Sequence, residues 1–187
     1  MIGASVSPIR LEGGCIRLVL LLLLTATPAS LAGQLVRDRP AWPYGRQGMW
    51  FNVGLGVGVG NDIGGQSSNL AVGWTLNPRL LMALGTSDWR TSADRATLTM
   101  GTLDLRVQFY PEANGGFFLT GGLGLGYMHL SDSGSGPDIG RSVLIGLGYD
   151  ARVADNVSIT TFINAAGVHT PDPHARVGQI GVGLTFH

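Results

Sequence analysis

The stretch Met49-Trp-Phe-Asn-Val-Gly-Leu-Gly-Val-Gly-Val-Gly-Asn-Asp62 places glycine at every second position between Leu55, Val57 and Val59, after Phe51 and Val53. Alternation with period two marks a strand with two unlike faces. Glycine weakens an ordinary strand, because it costs backbone entropy and offers no side chain to pack. One face of this strand is therefore nearly empty, and the rest of the chain says what needs the space.

Period-two patterning broken by turn residues runs from Gly48 to the last residue. It predicts eight strands, at roughly 48–60, 67–77, 79–91, 96–110, 116–130, 141–154, 157–169 and 175–187. Short links at Asn77-Pro78, 111–116 and 154–156 alternate with longer ones at 61–66, 131–140 and 170–174, and the link at 92–95 is short. An even strand count with short turns alternating with longer loops is the pattern of a transmembrane barrel, its turns toward the periplasm and its loops outward.

The two faces then sort cleanly. One carries Phe51, Val53 and Leu55, then Leu103, Leu105, Val107 and Phe109, and later Val143, Ile145, Leu147 and Tyr149, with no charge anywhere on it. The other carries Asn52, Gly54 and Gly56, then Thr102, Asp104, Arg106 and Gln108, and later Gly146, Gly148, Asp150 and Arg152. Charged residues are only 13% of the 187-residue chain, about half the share of a soluble domain. With the apolar face inward, the outside would be a glycine-rich skin with too few charges. With it outward, the wall meets lipid and the polar face fills a narrow lumen, where glycine makes room for bulky neighbours. The fold class is accordingly an all-β, eight-stranded antiparallel transmembrane β-barrel.

Ahead of the barrel, Arg10 and Arg17 precede the run Leu18-Val-Leu-Leu-Leu-Leu-Leu24, which leads to small residues at Ser30 and Ala32. This run is too short to span a membrane and fits a signal-peptide core, so residues 1–32 are expected to be an export signal cleaved after Ala32. The lone Cys15 would leave with it. Residues 33–47 hold prolines and no periodicity and are expected to be a periplasmic tether, with the barrel at 48–187. Net charge is zero and there is no lysine, which argues against a nucleic-acid partner.

The terminal Gln179-Ile-Gly-Val-Gly-Leu-Thr-Phe186 carries Gln179, Gly181, Leu184 and Phe186 at the spacing of the C-terminal signature of bacterial outer-membrane barrels. Together with Phe117-Phe-Leu-Thr-Gly-Gly-Leu-Gly-Leu-Gly-Tyr127, it makes the chain resemble the small eight-stranded outer-membrane proteins of the OmpA membrane-domain and OmpX type, over about residues 48 to 187. His187 departs from the pattern by following the final aromatic. The resemblance implies an outer-membrane location, contact with lipid and lipopolysaccharide, and delivery to the barrel-assembly machinery through the last strand. It implies a structural or surface-interaction role with a closed lumen and no cofactor, and leaves the loop partner open.

Two alternatives are a lipid A-modifying esterase and a small-solute channel. Lipid A 3-O-deacylases resemble this barrel and use a His-x-Ser pair, and His129-Leu-Ser131 has that form, the imidazole taking the serine proton as the hydroxyl attacks an ester. Here the pair lies at the end of the fifth strand, and Arg141 stands where an acid is wanted, with Asp132 and Asp138 the nearest carboxylates. A channel is disfavoured because about eight strands leave room only for side chains. Gly146-Leu-Gly-Tyr-Asp-Ala151 has dinucleotide-fingerprint spacing but continues as a strand where that fingerprint opens a helix. His169, Asp172 and His174 are metal-ligand types, equally at home in a solvated loop, and no metal is expected. Trp50, Trp74, Trp89, Tyr110, Tyr127 and Tyr149 are read as interfacial girdles, with strand packing open for Trp50 and Trp89. The repeats Asp104-Leu-Arg106 and Asp150-Ala-Arg152 are expected to form a lumen ion network, most simply Arg106 with Asp150.

Overall fold

The computed structural model describes residues 46–60, 62–93, 96–131, 136–170 and 174–187. Eight strands follow in chain order: β1 (Met49–Gly60), β2 (Ile63–Asn77), β3 (Leu80–Ala93), β4 (Ala96–Phe109), β5 (Phe117–Leu130), β6 (Asp138–Ala154), β7 (Val157–His169) and β8 (His174–Phe186). Each pairs antiparallel with the next, and β1 pairs with β8 from Phe51↔Phe186 to Gly60↔Val177, so the barrel closes without a free edge. The expected signal segment and all of the expected tether but Arg46 and Gln47 lie outside the described residues. Gly146 sits within β6, which runs on to Ala154, so the fingerprint spacing opens no helix.

The barrel has a lower end, with links at 78–79, 110–116 and 155–156, and an upper end, with links at 61–62, 94–95, 131–137 and 170–173. Met49 and Phe186 both lie at the lower end, as an even strand count requires. Two boundaries differ from expectation: β2 starts at Ile63 and β6 at Asp138. Gly64 and Gly65 look like loop residues, yet they continue the ladder as Val59↔Gly64 and Gly58↔Gly65. Asp62 makes the tight reversal at φ 66°, a left-handed conformation that aspartate tolerates. Link length therefore does not alternate as expected, and the long links are 110–116 below and 131–137 above. Strands of 12 to 17 residues exceed the roughly 9–11 that cross a hydrocarbon layer, so the wall projects beyond it.

Side chains alternate between wall and lumen along every strand, with Leu105 57% exposed on the outside and Asp104 1% exposed inside. The opening pattern now has its cause. A Cβ on Gly58 would stand 2.8 Å from Trp89 Cδ1, and one on Gly54 would stand 2.9 Å from Phe162 Cε1. Each bulky inward group occupies the volume that a glycine on another strand leaves open. Apolar side chains cap the upper lumen, with Trp89, Met100, Met128, Val168 and Val177 in one cluster. A second cluster of Trp50, Leu81, Tyr110 and Phe118 fills the lower lumen, and polar side chains lie between the two.

Three of the expected girdle residues, Trp74, Tyr127 and Tyr149, do face outward. Trp50, Trp89 and Tyr110 instead point inward and are buried. Parity decides this: Trp50 shares its face with Asn52, and Trp89 shares its face with Ser87. Inside, Trp89 also finds a partner, donating from Nε1 to the Gly58 carbonyl at 3.1 Å.

Candidate functional site

The lumen is where this sequence places its buried charge. Asp104 and Arg106 are two residues apart on β4 and so project from the same face. The Arg106 guanidinium grips its neighbour with a two-pronged contact, Nε to Asp104 Oδ1 at 2.9 Å and Nη2 to Oδ2 at 3.1 Å. Nη2 also donates to Ser87 Oγ at 3.2 Å, and Thr102 Oγ1 donates to Asp104 Oδ2 at 3.2 Å. Glycines again open the space, since a Cβ on Gly85 would stand 2.8 Å from Arg106 Cζ and one on Gly122 would stand 2.8 Å from Asp104 Oδ1. The result is a charge pair with no net charge, satisfied within β4 and its neighbour β3.

Asp150 takes no part in it, which corrects the expected Arg106–Asp150 bridge. Its Oδ2 accepts from Tyr110 Oη at 2.7 Å, and its Oδ1 accepts from Thr160 Oγ1 at 2.6 Å. Thr160 in turn shares a hydrogen bond with Thr185, which accepts from Asn52 Nδ2 at 2.8 Å. The chain of contacts thus crosses from the 110–116 link through β6, β7 and β8 to β1. Arg152, closer to the rim and half-buried, donates from Nε to its own strand's Ala154 carbonyl at 2.8 Å. The register of β6 against β7 is regular from Arg141 to Arg152 and shifts only between Arg152 and Ala154, so Asp150 and Arg152 share one face and Arg152 stands at the edge of the irregularity.

Arg46, expected in a tether, completes the lower end. It is buried, with its guanidinium 3.4 Å over the centre of the Tyr110 ring, and it donates from Nη1 to Ala113 O at 3.2 Å and from Nη2 to Gly115 O at 2.7 Å. A cation over an aromatic face is favourable, and more so away from water. Burial first, and then the negative charge of Asp150, raise the Tyr110 hydroxyl well above the ordinary tyrosine value, so it stays protonated and donates. His187, at the same end, donates its backbone N–H to the Asn156 carbonyl at 2.9 Å, and burial holds its imidazole below the ordinary histidine value. Thr160 and Arg46 were not singled out from the sequence, and Tyr110 was read only as a girdle residue, because their role here depends on contacts between strands and links far apart in the chain.

The other candidates lie at the upper end. His129 is on the outer face of β5 opposite Thr99. Ser131, just past β5, is tied to β4, accepting at Oγ from the Thr97 N–H at 2.9 Å and donating its own N–H to Thr97 O at 3.0 Å. Among the described residues no hydrogen bond joins His129 to Ser131, Asp132 lies outside those residues, and His129 Nδ1 is without a partner. The hydroxyl fastens a hairpin rather than meeting a base. His169 and His174 stack flat on the outer wall, ring centres 3.9 Å apart and planes 14° apart, so their faces and not their nitrogens meet. Asp172 falls outside the described residues. At the C-terminal signature Gln179 is buried inward, whereas Leu184 and Phe186 face out, the latter 6.3 Å from Phe51 between ring centres across the closing seam.

An apolar outer wall around a packed polar lumen defines a small closed barrel of the membrane-spanning type. The fold is that of the small eight-stranded outer-membrane β-barrels. The chain is similar to Neisserial surface protein A, at 17% identity and a TM-score of 0.61 over 76% of this chain and 99% of that one. It is similar also to Ail, the attachment invasion locus protein of Yersinia pestis, at 13% identity and a TM-score of 0.56 over 75% and 99%. Ail in complex with the heparin analogue sucrose octasulfate gives a TM-score of 0.57 at 13% identity over the same shares. No protein-family model matches the sequence, and no curated protein matches it.

Proposed function

We propose that this chain is a bacterial outer-membrane barrel with a closed lumen, whose role is structural or surface-interaction. The observation that carries it is the pairing of an outward apolar belt with a lumen filled by side chains, Leu105 outside against Asp104 and Arg106 inside. An outer wall of this kind is stable against lipid and unstable against water. A filled interior leaves the wall and the upper rim as the surfaces that meet other molecules. Two fold neighbours, one called a surface protein and one an attachment protein, support a surface role.

In this reading the lower end faces the periplasm, the last strand from Gln179 to Phe186 is what the assembly machinery engages, and the surrounding lipid and lipopolysaccharide are the first partners. Fractionation tests the reading directly. The protein is expected with outer membranes and with a faster or slower gel band when unheated than when boiled, because a closed barrel has no edge from which to unzip. Recovery as a soluble periplasmic species overturns it. Planar-bilayer recording tests the lumen separately, where a large steady conductance would contradict a filled interior.

A further inference from the structure

The outer wall is free of charge through its belt, yet its upper end on β6, β7 and β8 carries a compact basic cluster. Arg141 pairs with His169 across β6 and β7, and His169 pairs with His174 across β7 and β8, so the three stand in one row on the outer face. Arg176 follows two residues below His174 on the same face, opposite Gly167. All four are exposed. Among the described residues, neither Arg141 nor Arg176 is hydrogen-bonded to or paired with a carboxylate, which sets them apart from the internally matched Arg106. Stacking of the two imidazoles covers their faces and leaves their edges, where the N–H groups lie, as the polar surface.

The height of the cluster identifies what it meets. Below Arg141 on the outer face of β6 come Val143, Ile145, Leu147, Tyr149 and Val153, all exposed and apolar or aromatic. From Val153 to Arg141 the strand climbs roughly 28 Å at a tilt of about 45°, close to the apolar band of about 25 Å on such barrels. The cluster therefore stands where hydrocarbon gives way to headgroups. Arginine forks suit phosphate oxygens, and imidazole N–H groups add donors at the same level.

We infer that Arg141, His169, His174 and Arg176 form a binding site on the barrel wall for the phosphorylated headgroup of an outer-leaflet glycolipid of the lipid A type. The inference rests on the outer-membrane reading and gives it a specific lipid contact. The site recruits lipid from the side, within the plane of the membrane, and takes up no solute from above.

The test uses the full chain refolded in phosphatidylcholine vesicles that contain a small fraction of fluorescent lipid A, with or without its phosphates, and reads energy transfer from tryptophan to the lipid. Phosphorylated lipid A is expected to be enriched around the protein, and the R141Q/R176Q variant is expected to lose on the order of tenfold of that preference. R141K/R176K keeps the charge and retains most of the preference, and R79Q, at the opposite end, leaves it unchanged. Equal transfer to phosphorylated and dephosphorylated lipid A in the unaltered protein overturns the site, whatever the variants do. So does an undiminished preference in R141Q/R176Q, or binding of a soluble sulfated saccharide through these residues with no lipid preference. Unheated gel mobility is followed in parallel: a barrel that inserts without lipid preference refutes the site alone, whereas a chain that never inserts refutes the membrane reading.

Discussion

Asp104-Leu-Arg106 and Asp150-Ala-Arg152 are nearly the same tripeptide, yet they end in different chemistry. On β4 the arginine turns back on its own aspartate, because Gly85 and Gly122 leave the lumen open beside them. On β6 the aspartate is already held by Tyr110 and Thr160, and the arginine, two residues nearer the rim, turns to the Ala154 carbonyl of its own strand. The first is a buried pair of opposite charges. The second is a single carboxylate held by hydroxyl groups. A charge pattern in sequence thus fixes the depth and facing of the side chains, while the neighbours across the barrel choose their partners.

The difference predicts unequal costs, measurable by reversible denaturant unfolding in lipid vesicles followed through tryptophan fluorescence. Removing the Arg106 side chain strands Asp104 in the lumen, so R106A is expected to cost about 3–5 kcal/mol. The double variant D104A/R106A should recover much of that, since no lone charge remains. A double variant as unstable as R106A would mean that the lost volume, and not the lost partner, sets the cost. Leu105 lies between these two residues on the opposite face, and L105R is expected to cost about 2–4 kcal/mol if it is near the midplane. A neutral result would place that stretch of β4 above or below the lipid.

At the second site D150A frees two hydroxyl donors, and a loss of roughly 1–3 kcal/mol is expected. A loss as large as that of R106A would make the two aspartates equivalent and end the distinction drawn between them. Smallest is the tyrosine itself, with Y110F expected to cost about 1 kcal/mol. Its hydroxyl titrates higher in the fold than in the unfolded chain, since burial and then Asp150 favour the neutral form. The stability it contributes is therefore complete below the ordinary tyrosine value of about 10 and drains away as pH rises through the higher folded value. Ultraviolet titration should show that the last tyrosine to ionise is the one Y110F removes. Normal ionisation of every tyrosine in the intact barrel would contradict the buried contact.

Much of this was legible from residue parity. The alternation Phe51-Asn52-Val53-Gly54 assigns wall and lumen for β1, and the same rule places Asp104 and Arg106 inside and Leu105 outside, because successive side chains on a strand point to opposite faces. Link lengths were less legible. Gly64 and Gly65 have the composition of a loop, yet a closed barrel supplies each with a paired strand, and pairing outweighs the weak strand preference of glycine. The aromatic girdle was legible only in half. Trp50 and Trp89 were counted by residue type, whereas the face on which each fell was decided by its position, and burial within the lumen followed.

Sequence alone determined that the chain alternates, that its apolar face requires lipid, and that Asp104, Arg106 and Asp150 point away from that face, because these properties repeat every two residues and need no partner to be seen. Tertiary structure alone decided which charge meets which. Closing the barrel brings Tyr110 to Asp150 and sets the Arg46 guanidinium over the same ring. It also stacks His169 on His174 at the upper rim, next to Arg141. Contacts of this kind depend on the register between strands and on where the links fold back. No local pattern encodes them, since the same Asp-x-Arg spacing yields an ion pair beside two glycines and a hydroxyl-held carboxylate beside Tyr110 and Thr160.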